Sequence, residues 1–150
     1  MSAPIRALLG FAAAVLSVLT FHQGMWGLLH VIGWVPLAPY PMNPVPPLGV
    51  PLIASLCFWG GLYGIPYALA LPRLPRMPGW LSGLLLGLLA AMVGWFIVAP
   101  LKGQPMAGGF NPMRMLISVL INGFWGVGVG VILPMLLPRS AQSRLASFRR

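Results

Sequence analysis

The sequence contains no aspartate and no glutamate. Without side-chain carboxylates there is no acid/base pair, no Mg²⁺ or Ca²⁺ cage and no carboxylate proton relay. Cysteine is nearly absent too, and Cys57 stands alone. It can form no intramolecular disulfide and no cysteine-based metal site. In its apolar run a thiol behaves as a small hydrophobe. Charge of any kind is scarce, at 6% of 150 residues. A soluble domain carries about a quarter, so this chain cannot cover a water-facing surface. The +9 formal charge lies almost wholly outside the apolar runs. It reads as topology and contact with anionic lipid headgroups. Nucleic-acid binding would need a soluble basic surface and is not expected.

Hydrophobic residues are abundant, at 59%. Four apolar runs reach the roughly 20 residues a bilayer requires. They predict an all-α polytopic membrane protein, a compact four-helix bundle. Spans are expected at about 3–34, 51–71, 79–99 and 112–137. Residues 1–138 would form the transmembrane domain and 139–150 a basic tail. Arg6 before an apolar stretch resembles a signal peptide. No small-x-small cleavage site follows, so an uncleaved first span is expected.

Proline marks the connections. Pro36 to Pro47, PLAPYPMNPVPP, holds six prolines in twelve residues, which favours extended polyproline geometry over helix. It has no charge, and it is expected to lie over the bundle mouth or in the interface. Pro51 suits the first turn of span 2, and Pro66 should kink that span. The 72–78 loop is short and basic. In the 100–112 connection, Asn111 reads as an N-cap and Pro112 as a first-turn residue.

The basic residues orient the spans. One side takes Arg6, Arg73, Arg76, Arg139, Arg144, Arg149 and Arg150; the other takes only Lys102 and Arg114. The positive-inside rule then puts both termini in the cytoplasm. Trp34, Tyr40 and Trp80 fall near the expected interfaces, where amphipathic rings belong.

Span 2 contains Phe58, Trp59, Gly60 and Gly64, and span 4 contains Phe124, Trp125, Gly126 and Gly130, each pair 66 positions apart. Spans 1 and 3 do not align at that offset. Either a two-helix unit is duplicated about a pseudo-twofold axis, or common membrane residues coincide. Small residues also predict close packing. Gly83, Gly87, Ala90 and Gly94 share one face of span 3. Cys57, Gly60, Gly61 and Gly64 do so in span 2, and Ser118, Asn122, Gly126 and Gly130 in span 4. Thr20, Gly24 and Gly27 suggest a similar face in span 1.

The first span carries the most polarity, with His22, Gln23 and His30. Counting depth along the helices, His22 and Gln23 lie level with Asn122, with Trp95 slightly further out. Trp26 stands close by. Gln23 and Asn122 are expected to face each other. On an ideal helix His22 points about 100° away, toward a neighbouring helix edge, lipid or a partner subunit. His30 would open to the periplasmic mouth, where Lys102 and Gln104 could hold an anionic or carbonyl group. Three uses are open: interhelical hydrogen bonds, a site for a small polar ligand, lipid or quinone, or haem or metal ligation. The two histidines are eight residues apart on one helix, about 12 Å along its axis. They cannot clasp one iron from opposite sides, so no cofactor or metal is expected. The spans offer no convincing nucleophile and no carboxylate to orient a histidine base, so an enzyme is not expected.

The runs FHQG (Phe21 to Gly24), PPLGVP (Pro46 to Pro51), FWGGLYG (Phe58 to Gly64) and PLKGQP (Pro100 to Pro105) resemble a family of small, uncharacterised inner-membrane proteins of proteobacteria. The resemblance covers nearly the whole chain. It implies a bacterial inner-membrane location and carries no activity, ligand or partner. The expectation is a structural or accessory subunit that self-associates or joins a larger membrane complex. The alternative is a small permease or carrier using the His22, Gln23 and Asn122 layer.

Overall fold

The computed structural model describes residues 1–75 and 77–138. Arg76 and the basic tail, with Arg139, Arg144, Arg149 and Arg150, lie outside the described residues. Among the described residues the fold is all-α, with four helices long and apolar enough to cross a membrane: α1 (Ala3–Val31), α2 (Leu52–Arg73), α3 (Gly79–Leu101) and α4 (Pro112–Leu136). Their starts follow local chemistry. Asn111 caps α4, its side-chain oxygen accepting from the N–H groups of Met113 (3.0 Å) and Arg114 (3.1 Å), with Pro112 in the first turn. Pro51 precedes α2 as its cap rather than entering its first turn. The helix runs on through Pro66 without interruption.

Two helices depart from α geometry. α1 contains a π segment at Val18–His22, and α3 contains one at Gly94–Val98. A π turn widens the helix by one residue and rotates everything beyond it relative to an ideal wheel.

Packing runs in the order α2, α1, α4, α3. α1 and α2 are antiparallel and touch backbone to backbone, Gly10 against Gly64, with Ala14 and Ala68 beside them. α3 and α4 do the same, Gly79 and Gly83 against Gly126 and Gly130, and Gly87 against Asn122. The contacts inside the two hairpins correspond. Gly64 meets Gly10 and Ala14 as Gly130 meets Gly79 and Gly83. α2 and α4 align at the offset of 66, whereas α1 and α3 align at 69, which is why a single offset hides the match.

The hairpins dock asymmetrically. α1 packs closely along α4, whereas α2 and α3 touch little, linked by the Tyr67 hydroxyl and Ser82 Oγ at 2.8 Å. A twofold axis would close both seams equally, so the arrangement departs from the expected pseudo-twofold symmetry. Trp125, at the centre, is 3% exposed, while its sequence counterpart Trp59 is 59% exposed. α4 has a neighbour on each side; α2 sits at the edge.

The core gathers Ala13, Ala14, Val18, Tyr67, Ala68, Leu86, Trp125, Val129 and Leu133. Its polar atoms are matched in pairs. Trp125 Nε1 donates to the Ala14 carbonyl at 3.1 Å, and Ser17 Oγ donates to the Trp125 carbonyl at 2.6 Å. No buried side-chain nitrogen or oxygen among the described residues lacks a partner, as a low-dielectric interior requires.

Candidate functional site

The expected polar layer resolves into two separate places. The first is on α1. The proline-rich segment does not stay wholly extended. It folds back through a small antiparallel pairing, Pro44 with Pro51 and Val45 with Val50, and lies as a strap along α1. Gln23 is 1% exposed. Its side-chain oxygen accepts from the Tyr40 N–H at 2.6 Å, and its amide nitrogen donates to His22 Nδ1 at 3.2 Å. The Tyr40 hydroxyl donates to the Leu19 carbonyl, inside the π segment, at 2.7 Å. Trp26 Nε1 donates to the Leu37 carbonyl at 2.9 Å, and His30 Nδ1 to the Val35 carbonyl at 2.9 Å. His22 stacks on Trp26, ring centres 5.8 Å apart. Four polar side chains of α1 are thus occupied in holding the strap, directly or through a neighbour.

This corrects four expectations. Gln23 and Asn122 do not pair. The Asn122 amide instead donates to the Ser118 carbonyl of its own helix at 2.9 Å. His22 does not face lipid or a partner; it is 7% exposed, bonded to Gln23 and stacked on Trp26. His30 bends back to Val35 rather than opening toward Lys102. The Thr20, Gly24 and Gly27 face is not a helix interface either. Thr20 bonds the Leu16 carbonyl, nothing lies within 4 Å of the direction a Gly24 side chain would take, and Gly27 sits against Pro39 of the strap.

The second place is a cleft of about 580 Å³ between the C-terminal half of α3 and the N-terminal half of α4. Ala90, Ala91, Gly94 and Trp95 line it from α3, and Arg114, Ser118 and Asn122 from α4. Gln104, Pro105 and Gly108 close one side. Trp95 Nε1 donates to Ser118 Oγ at 3.1 Å and ties the two walls together. Gly94 is therefore no packing contact. A β-carbon there would meet nothing within 4 Å, unlike those at Gly60, Gly64, Gly83, Gly87, Gly126 and Gly130, which all meet the neighbouring helix.

Two local features open the cleft. One is the π segment, which begins at Gly94. The other is the turn Ala107–Phe110, where Ala107 (φ 48°), Gly108 (63°), Gly109 (74°) and Phe110 (55°) are all left-handed. L-residues resist that conformation and glycine does not, so Gly108 and Gly109 make the turn possible. It brings Gly108 against the stem of Arg114. Of the residues singled out from sequence, Trp95, Gln104 and Asn122 are brought together here. Lys102 is not; it is exposed just past the last turn of α3. Arg114, read from sequence only as a topology marker, joins the site. Its signal was visible as a cation one turn into a helix of a chain without carboxylates.

Among the described residues, no three His, Cys, Asp or Glu side chains gather where they could hold a metal. No family model, no curated protein and no solved structure matches this chain.

Proposed function

We propose that the protein is a four-span inner-membrane protein, both termini cytoplasmic, that acts as a structural or accessory subunit of a membrane assembly. The observation that carries this reading is the closed interior. Helix backbones touch at Gly10 and Gly64 and again at Gly83 and Gly126, and the buried polar atoms satisfy one another. Such close packing suits a structural role, and no span carries the mid-membrane charge common in channels and transporters. The sides, by contrast, are rich in exposed apolar groups, including Phe58, Trp59, Leu85, Leu89 and Phe96, which suit lipid and neighbouring subunits. Trp34 and Trp80 are exposed near the ends of α1 and α3, as interfacial rings would be, whereas Tyr40 is held beside the middle of α1 at Leu19 and Gln23. The matched contacts inside the two hairpins support duplication of a two-helix unit. The family resemblance stated above accords with the inner-membrane location.

The test is purification of the full chain from its native membrane in mild detergent. Other membrane subunits should co-purify stoichiometrically, or the chain should run as a defined oligomer. A lone monomer at every detergent concentration would overturn this reading. The alternative, a carrier, rests on one observation, the α3–α4 cleft. A carrier would show proteoliposome uptake that depends on that cleft.

A further inference from the structure

Arg114 is an exposed cation at the edge of the α3–α4 cleft. The chain has no carboxylate side chain to neutralise it, and its guanidinium makes no hydrogen bond among the described residues, while its backbone N–H is taken by Asn111. It borders the cleft together with Gln104, at the ends of α3 and α4. Asn122 and Ala91 line the same cleft eight residues deeper than Arg114 and Ala99, about 12 Å along the helices. The lining changes along that depth. Guanidinium and amide are at the mouth, an indole and small apolar residues follow, and an amide stands at the inner end. A ligand with an anionic head and an apolar body matches this gradient.

We infer that the α3–α4 cleft binds a phosphate-bearing anion, its phosphate held by Arg114 and Gln104. Arg offers a planar fork of donors suited to phosphate oxygens. The Asn122 carboxamide retains an unbonded side-chain oxygen and can receive a hydroxyl of the ligand. Ala90, Ala91 and Gly94 leave room that a larger side chain would fill. Phosphate of this kind comes either from a lipid headgroup or from a free phosphorylated solute. The lipid source rests on membrane insertion, whereas the cleft does not. Failure of insertion would appear in the topology measurement described below and leave the binding measurement readable.

The experiment uses the full chain in dodecylmaltoside micelles, which contain no phosphate. Short-chain phosphatidylglycerol and inorganic phosphate are titrated separately, with binding read by calorimetry. Arg114→Gln removes the charge. Gly94→Leu fills the cleft from a position with free space. Lys102→Gln, outside the cleft, is the control. Loss of a charge-assisted contact should weaken binding by about tenfold to a hundredfold, and Gly94→Leu should weaken it as well, while Lys102→Gln leaves it unchanged. This pattern with phosphatidylglycerol supports the proposal with a lipid source; the same pattern with inorganic phosphate alone supports it with a free anion. Should Arg114→Gln fail to fold, Gly94→Leu decides. The proposal is overturned if neither probe binds, or if binding survives undiminished in the folded variants.

Discussion

At the scale of single residues, small size and matched polarity do different work. Gly83 and Gly126 let two backbones touch, so a β-carbon at Gly126 would collide with the Gly83 carbonyl. Backbone cannot step aside as a side chain can. Gly126→Val should therefore destabilise the protein by at least about 1–3 kcal/mol, the usual cost of overpacking, read as a lower midpoint in thermal unfolding in detergent. Gly24→Ala meets no neighbour and should be neutral or gain about 0.5–1 kcal/mol from helix propensity. If both substitutions cost the same, the packing described here is incorrect. Trp125→Phe loses the bond to Ala14 and part of the buried ring system, and a loss of more than about 0.6 kcal/mol is expected in the same assay. The packing glycines were legible in the sequence, because stripes of small residues at helical spacing have few other uses. Gly94 was misread, because spacing shows which residues share a face and not whether a neighbour reaches it.

At the scale of elements, the four helices follow from apolar length, and the starts of α2 and α4 from Pro51, Asn111 and Pro112. The π segments were not legible. No residue type demands an i+5 hydrogen bond, and tertiary contacts select it. His22 is buried beside Gln23 and Trp26, which a helical wheel of α1 alone could not show. The strap was legible as proline-rich but not as a set of partners, because nothing in the spacing of Tyr40 and Gln23 announces a 17-residue contact. The strap yields a test of its own. Gln23→Leu leaves the Tyr40 N–H without its acceptor. Amide exchange at Tyr40 should then accelerate, with the α1–α4 core unchanged. Equal protection in wild type and variant would show that Gln23 does not hold the strap.

At the scale of the whole molecule, hairpins with corresponding internal contacts dock by one close seam, α1 with α4. The sequence repeat could foretell the hairpins but not the asymmetric docking, since residues at equivalent positions met unequal surroundings. Trp59 and Trp125 are the clearest case. The site was legible in part, since Trp95 and Asn122 stood out near one level and Gln104 at the mouth beyond them. Their union with Arg114 required the left-handed turn at Ala107–Phe110, which two adjacent glycines permit but do not announce.

Whether the helices cross a bilayer in the stated direction is the premise on which the rest of the functional reading stands. The most direct measurement is cysteine accessibility in intact cells. Cys57 is replaced by serine, and single cysteines are placed at Asn43, Leu74 and Gln104, one in each connection. A membrane-impermeant maleimide should label Asn43→Cys and Gln104→Cys at once, and Leu74→Cys only after the inner membrane is permeabilised. Labelling of Leu74→Cys in intact cells with protection of the other two would reverse the orientation, and labelling of all three alike would contradict a four-span protein.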